Sequence, residues 1–284
     1  MDFIVGIFEQ VFKKDYIQRV PESEMIVETE SELLSYNRSM REGGAAWPYI
    51  IYTAYFMSQS IQRCTHVLDI GCGSANLLML VARANPHITF VGVDQSDIAI
   101  HEGQKKILEE GISNVTLIQS NLTTLSNLND QSFDGVISRF ALHHLRDIQQ
   151  LESASMSLRR VLKHGGALCI IDFKRLKSYR LMKYVAYRNK KNAGELVSRL
   201  FYESLNAAYT KMDIEKYLSR NNVFLHTSVF APFYICLHSK MYQLTPSTLQ
   251  YFTKIINSLP LRKRVLVRTL MRLPISIHSF KKIP

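Results

Sequence analysis

The sequence predicts an α/β fold in which helices cover both faces of a doubly wound, mostly parallel β-sheet. From about residue 66 onward, short runs of β-branched residues alternate with helical stretches, which is the pattern of successive βαβ units. The helical stretches end at ordinary stop signals such as Pro86 and Gly111. Composition agrees, because 46% hydrophobic and 21% charged residues are typical of a globular chain and argue against disorder.

The strands and helices of this core are predicted in alternation along the chain. Five strands are expected, at His66–Ile70, Ile88–Asp94, Val115–Gln119, Phe133–Ser138 and Ala167–Asp172. Three helices are expected between them, at Ala75–Ala84, Asp97–Glu110 and Asp147–Leu162. Two later runs, Val223–Val229 and Phe233–His238, lie too close together for a parallel crossover, so we expect an antiparallel pair at the sheet edge.

The regions around the core define the domain organisation. Residues 1–60 are predicted to form a helical N-terminal region, residues 61–240 the α/β domain, and residues 241–284 a basic helical tail. Within the domain, the stretch at about 177–220 reads as helical and is long for a simple crossover. We therefore expect a helical insertion there, on the substrate side and before the last two strands.

The strongest chemical signal is the segment Val67–Asn76, a buried strand that ends in a glycine turn and opens a helix. Without side chains, Gly71 and Gly73 let the backbone turn sharply and approach a ligand, and the following helix presents free N–H groups. Asp94 ends the next strand, where a carboxylate can accept hydrogen bonds from two ribose hydroxyls. Together these residues predict a site for a ribose-containing cofactor.

Two other nucleotide-binding patterns fit the same segment badly. A dinucleotide fingerprint needs a third glycine at the position of Asn76. A phosphate-binding loop needs Gly-Lys-Ser or Gly-Lys-Thr, which the sequence lacks.

The segment Asp69-Ile-Gly-Cys-Gly-Ser resembles the first motif of class I S-adenosylmethionine-dependent methyltransferases, which have a Rossmann-like fold. The resemblance covers roughly residues 66–172. It implies that S-adenosylmethionine is the cofactor and that Asp69 helps orient its amino-acid end. It also implies that Gly71 and Gly73 pass beneath the cofactor and that Asp94 grips the ribose.

The resemblance extends to the adenine side of the site. Gln95 would lie beside the adenine, and Asn121 stands where the family usually has Asp to read the adenine amino group; an amide oxygen is still an acceptor. Ala75 replaces the frequent last glycine of the first motif, and Cys72 is expected to contribute its backbone. The cofactor-binding residues predicted in this way are Asp69, Gly71, Cys72, Gly73, Asp94, Gln95, Asn121, Leu122 and Ser138.

The segment Ser132–Leu145 is similar to the fourth strand and following loop of the small-molecule members of this family. Its end carries His143 and His144, either of which could act as a general base, because imidazole titrates near neutral pH. Structural packing is the alternative for this pair. Arg139 and Phe140 are assigned to the substrate side, where Arg139 would clamp an acidic group or remain a solvated loop arginine.

Aromatic residues are concentrated just before the first strand, where the family often builds a lid over the cofactor and substrate. Aromatic faces suit a sulfonium cation and a flat substrate, so Tyr36 and Trp47 are assigned to the substrate side. Core packing is the alternative for Tyr36 and Trp47, and also for the neighbouring aromatic residues Tyr49, Tyr52 and Tyr55.

The function implied is direct in-line transfer of the sulfonium methyl group to a small-molecule or lipid-like acceptor, with no metal required. One alternative is an RNA or protein methyltransferase, which the basic carboxyl-terminal half suggests. The sequence Ser138-Arg-Phe-Ala opposes it, because it lacks the Asn/Asp-Pro-Pro-Tyr/Phe and Pro-Cys motifs of nucleic-acid enzymes. A second alternative is a non-catalytic cofactor-binding scaffold, which the intact Gly71, Gly73 and Asp94 oppose.

Charge is unevenly placed along the chain and predicts an anionic partner. From Lys174 to the end, 21 Lys/Arg and 4 Asp/Glu give a net charge of +17, whereas the net charge of the whole chain is +11. In the tail, a helix after Pro260 would place Leu261, Val265, Leu266, Leu270 and Leu273 on one apolar stripe, with Arg262, Lys263 and Arg272 pointing away. We hypothesise peripheral contact of this tail with an anionic membrane, with docking on the domain as the alternative.

Widely spaced cysteines and a poor signal sequence predict a cytoplasmic protein.

Overall fold

The structure is a computed structural model that describes residues 2–22, 40, 42–44, 46–188, 190–218, 224–227, 233–237 and 241–272. Within these ranges the strands belong to one seven-stranded sheet. They are β1 (His66–Ile70), β2 (Thr89–Asp94), β3 (Val115–Gln119), β4 (Phe133–Arg139), β5 (Leu162–Phe173), β6 (Phe224–Thr227) and β7 (Phe233–Leu237).

The sheet has the order β3-β2-β1-β4-β5-β7-β6. Strands β1 to β5 are all parallel, which confirms the predicted parallel core. Strand β7 pairs antiparallel with β5, and β6 pairs antiparallel with β7 at the outer edge. The order reverses between β1 and β4, where the register sets Ile70 beside both Val93 and Ser138. Ligands of open α/β sheets bind at such a switch point, at the carboxyl ends of the strands.

The α-helices of the described residues are numbered here in chain order. They are α1 (Asp2–Phe12), α2 (Trp47–Ser60), α3 (Asn76–Ala84), α4 (Asp97–Glu109), α5 (Ile148–Val161), α6 (Tyr179–Tyr187), α7 (Lys190–Ala193), α8 (Glu195–Ala207), α9 (Lys211–Leu218), α10 (Pro246–Ser258) and α11 (Leu261–Arg272). Side-chain caps explain several starts. The Ser96 hydroxyl accepts from the Ala99 amide to begin α4, and the Asp147 carboxylate accepts from the Gln150 amide to begin α5.

Apolar residues cover both faces of the sheet. On one face, helices α2, α3, α10 and α11 contribute buried residues such as Ile51, Leu78, Phe252 and Val267 to a single cluster. On the other face, α5 and α9 bury a second cluster that includes Tyr209. The helical stretch that we expected at about 177–220 consists of α6 to α9, and α6 and α8 enclose a third cluster.

Strand β5 begins earlier than predicted. A strand was expected to start at Ala167, after a helix ending at Leu162, but the strand starts at Leu162. The reason is that Leu162 pairs with Phe133 of β4 ahead of a register shift, and the chain then resumes regular pairing at Gly135 and Ala167. A positive φ of 75° at Gly165 accommodates the irregularity.

The tail forms two helices, and α11 begins directly after Pro260 as predicted. Its predicted apolar stripe is wrong in part, because Leu261 and Val265 are 70% and 54% exposed and the buried residue is Val267. The predicted outward direction of Lys263 is also wrong, since its Nζ donates to the carbonyls of Gly43 and Gly44 at 3.0 and 3.2 Å. Val267 is buried in the same cluster as residues of α2. Leu273 lies outside the described residues.

Across the described part of the chain, every helix is too short or too polar to span a bilayer.

Candidate functional site

The turn between β1 and α3 has the backbone geometry that its glycines require. Gly71 and Gly73 have φ values of 67° and 52°, in the left-handed region. A Cβ added to Gly71 would lie 2.3 Å from the Cβ of Ala141, so the loop after β4 touches this turn directly. A Cβ added to Gly73 would meet no atom within 4 Å among the described residues. The turn therefore has open space on the side of Gly73.

Asp94 joins the end of β2 to the glycine turn. Its Oδ2 accepts a hydrogen bond from the Gly73 amide at 2.8 Å, and its Oδ1 accepts from the Ser96 amide at 2.9 Å. A carboxylate oxygen has more than one lone pair, so each oxygen is still able to accept from a ligand hydroxyl. Asp94 thus fixes the turn and faces the carboxyl edge of the sheet.

Two further residues of the turn are strongly affected by burial. Loss of hydration, together with the charge of Asp94, raises the pKa of the Asp69 carboxyl well above its usual range. Burial and the two carboxylates also raise the pKa of the Cys72 thiol. The thiol is therefore protonated at neutral pH and unsuited to nucleophilic catalysis.

Ala75 precedes α3 in a conformation that favours glycine. It has a φ of 60° and a ψ of 15° and is fully buried. This is the position where the family usually has glycine, and an L-residue there costs roughly 1–2 kcal/mol. The turn keeps its shape because the Ala75 amide donates to the Cys72 carbonyl at 3.0 Å.

The residues assigned to the adenine lie at the ends of β2 and β3. Gln95 and Asn121 line one open depression, with a volume of about 430 Å³ and polar walls. The Asn121 side-chain oxygen already accepts hydrogen bonds from the Thr123 amide and hydroxyl, both at 2.8 Å. It therefore stabilises its own loop in this arrangement. Leu122 is half-buried against the cluster beneath α5.

The end of β4 brings the next three predicted residues together. Ser138 is buried, and its hydroxyl donates to the Ile70 carbonyl at 2.9 Å, which ties β4 to β1. Phe140 has a φ of 58°, which is rare for a bulky residue and marks a constrained backbone. Its ring stacks on Phe173 with the centroids 4.1 Å apart. The Arg139 guanidinium lies 4.1 Å from the centroid of the same Phe140 ring.

The short 3₁₀ turn Leu142–His144 presents the two histidines beside the end of β5. His143 is buried, and its Nδ1 lies 2.6 Å from Oδ1 of Asp172. The other oxygen of Asp172 accepts from the Leu142 amide at 2.6 Å. The Asp172 carboxylate therefore fixes both the turn and the orientation of the His143 ring.

His144 pairs instead with Glu22, with its Nδ1 in direct contact with Oε2. Loss of hydration lowers the pKa of His144, but the hydrogen bond and charge of Glu22 raise it more, so the pKa stands above its ordinary value. Burial raises the pKa of Glu22, whereas the bond and charge of His144 lower it more, so its pKa is lowered overall. The Ser204 hydroxyl donates to Glu22 at 2.8 Å. The raised pKa of His144 and the lowered pKa of Glu22 both favour an ion pair between the two groups.

The amino-terminal segment holds this turn in place. The Arg19 guanidinium donates to the carbonyls of His143 and Ala207 at 3.1 and 2.8 Å, and lies 4.2 Å from the centroid of the Tyr209 ring. The Tyr209 hydroxyl donates to the carbonyls of Leu145 and Asp147 at 2.7 and 2.8 Å. The histidine turn is thus anchored from three parts of the chain.

Glu22, His143 and His144 are also the described residues whose donor atoms could hold a metal ion. One donor atom of each lies within 4.8 Å of the others. The ligand chemistry suits zinc or a similar ion, although Glu22 and His144 already contact each other directly. That no metal is needed for the reaction stays a prediction.

The aromatic residues assigned to a lid have different surroundings. Tyr36 lies outside the described residues. Trp47 is buried in the cluster between α2 and the sheet, and the Tyr55 ring lies 5.4 Å from that of Phe252 in α10. For Trp47 and Tyr55 these contacts favour the core-packing alternative.

The sequence did not single out Glu22, Asp172 or Arg19. A signal existed for Asp172, because it is an acidic residue at the carboxyl end of an apolar strand. Glu22 and Arg19 follow no recognisable pattern, and their partners lie more than a hundred positions away in the chain.

The fold and the site define a Rossmann-like domain for a ribose-containing cofactor, because a glycine turn after β1 meets an acidic residue at the end of β2. Residues 61–222 match a family model described as a methyltransferase domain. This match covers more than half of the chain, which therefore belongs to the methyltransferase-domain family. The resemblance of its first motif to class I S-adenosylmethionine-dependent methyltransferases is thereby confirmed.

Curated relatives match part of the chain. A demethylmenaquinone methyltransferase of Listeria monocytogenes is 35% identical over 113 residues, which are 39% of this chain and 46% of the relative. An enzyme with the same description from Anoxybacillus flavithermus is 29% identical over 132 residues, or 45% and 54% of the two chains. The chain thus spans about half the length of these relatives.

Solved structures share the fold at low sequence identity. The plantazolicin methyltransferase BpumL, in complex with a monoazolic desmethylPZN analog and SAH, aligns with a TM-score of 0.56 and 16% identity. That alignment covers 84% of this chain and 88% of BpumL. An O-methyltransferase family protein from Burkholderia thailandensis gives a TM-score of 0.56 and 15% identity, over 85% of this chain and 69% of that protein.

Proposed function

We propose that this chain is an S-adenosylmethionine-dependent methyltransferase that transfers the methyl group directly to a small lipophilic acceptor. The stacked aromatic pair Phe140 and Phe173, beside the Asp172–His143 pair and next to the glycine turn, is the observation that carries this proposal. The curated relatives support it, since they are named for action on demethylmenaquinone.

The residues of the turn fit the proposed cofactor. The open space beside Gly73 leaves room for a ligand against the backbone, and Asp94 offers carboxylate oxygens for ribose hydroxyls. The buried Asp69 carboxyl, whose pKa is raised, would be stabilised in its charged form by the ammonium group of the amino-acid end. When bound, S-adenosylmethionine supplies an electrophilic methyl group.

The acceptor side is apolar and aromatic. Phe173 lies 4.1 Å from Phe140, 5.0 Å from the His143 ring and 5.2 Å from Phe201 of α8, by ring centroids. Phe140 and Phe201 are half-buried and pack against the cluster of α6 and α8. An apolar wall of this kind binds a lipophilic ring better than a charged peptide or a nucleic-acid backbone. The helical insertion would therefore contribute to substrate selection.

The two histidines are suited to different tasks. The hydrogen bond and charge of Glu22 raise the pKa of His144 and so favour its charged form, which makes it less suited than His143 to accept a proton. His143 engages Asp172 through Nδ1, and its Nε2 lies 3.7 Å from Oε1 of Glu22, so a proton taken up at Nε2 would be next to that carboxylate. With the methyl group supplied by bound S-adenosylmethionine, Nε2 of His143 would take up the proton that the acceptor atom loses on methylation. Asp172 is then a positioning residue that fixes the tautomer.

The acceptor class is tested by incubating the full chain with methyl-labelled S-adenosylmethionine and cell extract separated into lipid, water-soluble, RNA and protein fractions. We expect label in a product that partitions into organic solvent, and its loss in His143→Gln. His87→Gln, the same substitution at an exposed histidine that precedes β2, is the control for general effects of substitution. Label in RNA or protein would refute the small-acceptor assignment, and label in no fraction would favour the scaffold alternative.

A further inference from the structure

Helix α1 docks on the domain through an unusual face. It packs along α6, and a Cβ on Gly6 would lie only 2.8 Å from the Leu181 amide, so the two helices are in close contact there. The Glu9 carboxylate accepts from the Ser178 hydroxyl, and the Gln10 side chain accepts from the Lys177 amide at 2.8 Å. A glycine and two polar side chains therefore make much of the inward contact.

The opposite face of α1 is apolar and exposed. Ile4, Phe8 and Phe12 are 74%, 62% and 66% exposed, and their spacing of four residues puts them on one side of the helix together with Val11. The side of α1 that faces away from the domain is thus the more apolar one. A helix that only packs on a core has its apolar side facing inward. The outward apolar side of α1 therefore indicates a surface for interaction.

The exposed aromatic area continues onto α6. Phe3 lies 4.6 Å from Tyr184 by ring centroids, and Tyr179 and Tyr184 are themselves exposed. We name the area formed by the exposed side chains of α1 and α6 the α1 face. Its apolar and aromatic members are Phe3, Ile4, Phe8, Val11, Phe12, Tyr179 and Tyr184.

Basic residues flank the α1 face. Lys13 and Lys14 follow α1 and are exposed, and Lys177 donates to the Lys13 carbonyl at 2.8 Å, which gathers positive charge at this end. Arg180 and Lys183 are exposed on α6 beside the aromatic residues. Glu9 is turned inward to Ser178 and Lys13. Exposed apolar side chains with flanking lysine and arginine are the signature of a helix that lies in the interface of an anionic bilayer.

We propose that the α1 face docks on the surface of a membrane that contains anionic phospholipid, with Phe8 and Phe12 inserted among the lipid headgroups. The membrane contact itself does not depend on the proposed function. Only its purpose, the delivery of a lipophilic acceptor to the site, rests on that function. Ile7 of α1 and Phe140 of the site both pack against the apolar cluster of α6 and α8. The helix that carries the α1 face and the acceptor wall therefore share one apolar cluster. The tail helix α11 is the weaker candidate, because its outward apolar residues are limited to Leu261 and Val265 among those described.

The test is sedimentation of the full chain with vesicles of phosphatidylcholine alone and of phosphatidylcholine with phosphatidylglycerol. Wild type should bind the anionic vesicles, and binding should fall with added salt. The double variant Phe8→Ser/Phe12→Ser should lose at least about tenfold in partitioning, since two aromatic side chains no longer insert. The matched control Leu261→Ser/Val265→Ser, which removes the exposed apolar residues of α11, should bind like wild type.

Several results would overturn the proposal. The proposal would be wrong if wild type did not bind anionic vesicles. It would also be wrong if the Phe8→Ser/Phe12→Ser variant bound these vesicles as well as wild type does. Loss of binding only in the Leu261/Val265 variant would assign the contact to the tail. A concentration-dependent dimer in sedimentation equilibrium that the Phe8/Phe12 variant abolishes would assign the α1 face to a second copy. Calorimetry with S-adenosylmethionine on the same preparations separates this outcome from failure of the proposed function, because cofactor binding requires no membrane.

Discussion

The Gly73 amide donates a hydrogen bond to the Asp94 carboxylate at 2.8 Å, so this bond joins the glycine turn to the end of β2. One side chain thus both positions the backbone beneath the proposed cofactor and offers acceptors to its ribose. This double role makes Asp94 the most informative residue to change.

We predict that Asp94→Ala weakens S-adenosylmethionine binding by about 1–3 kcal/mol or more, because it removes a charged acceptor and frees the Gly73 amide. Calorimetric titration measures the change. Asp97→Asn, an exposed acidic residue at the start of α4, should leave the affinity unchanged. Equal affinities of a folded Asp94→Ala protein and wild type would contradict the ribose role.

Asp69 should limit the stability of the ligand-free protein. Its pKa is raised by burial and by Asp94, so the charged form is unfavourable in the folded state at neutral pH. We expect Asp69→Asn to raise the free energy of unfolding by about 0.5–2 kcal/mol while it abolishes the stabilisation by added S-adenosylmethionine. Urea denaturation with and without cofactor gives both values. A variant that is less stable yet binds normally would remove the cofactor role of Asp69.

The ion pair of Glu22 and His144 should give stability a specific pH dependence. The raised pKa of His144 adds stability below its ordinary value of 6.5, and this is lost as pH rises through the folded pKa. The lowered pKa of Glu22 adds stability above its ordinary value of 4.5, and this is lost as pH falls through the folded pKa. The pair therefore contributes most between pH 4.5 and 6.5.

Urea denaturation at several pH values between about 5 and 9 tests this pair, across the range in which histidine titrates. Wild type should lose more stability on the alkaline side than Glu22→Gln, whose His144 has no charged partner. His87→Gln, an exposed histidine, should follow the wild-type curve. Parallel curves for Glu22→Gln and wild type would show that the ion pair does not form.

The left-handed conformation of Ala75 predicts an unusual response to glycine. Ala75 and Ala82 are both fully buried, but Ala75 has a φ of 60° whereas Ala82 is in the middle of α3. Each change to glycine removes one methyl group and adds the same freedom to the unfolded chain. Ala75→Gly should therefore be less destabilising than Ala82→Gly by about 1–2 kcal/mol, the cost of the left-handed conformation. Equal losses in urea denaturation would contradict the strain at Ala75.

Metal removal should leave the reaction intact. Glu22, His143 and His144 could be ligands, but Glu22 pairs with His144, and His143 is held by Asp172. We predict unchanged methyl transfer after treatment with EDTA and inhibition by excess zinc, which would compete for these side chains. Loss of transfer in EDTA that zinc restores would make this cluster a metal centre.

The sequence predicted the parallel core well because its signals are local. The strands His66–Ile70 and Val115–Gln119 have the predicted bounds. The pattern that indicates a buried strand lies in the residues of the strand and in the turns beside it. The glycine turn and Asp94 were found for the same reason.

Features that depend on distant contacts could not be read in this way. The partners Glu22 and His144 are 122 positions apart, and only the path of the amino-terminal segment brings them together. Lys263 of α11 donates to the carbonyl of Gly43, 220 positions away. The outward apolar side of α1 also needs the structure, because amphipathic periodicity does not say which side meets the domain.

Calorimetric titration of the full chain with S-adenosylmethionine, and separately with NAD⁺, tests the central claim most directly. The turn at Gly71 and Gly73 with Asp94 should bind one molecule of S-adenosylmethionine per chain, and S-adenosylhomocysteine should compete for the site. NAD⁺ should give no binding heat, because Asn76 stands where a dinucleotide site needs a third glycine. Absence of S-adenosylmethionine binding by the folded protein, or preferential binding of NAD⁺, would contradict the account.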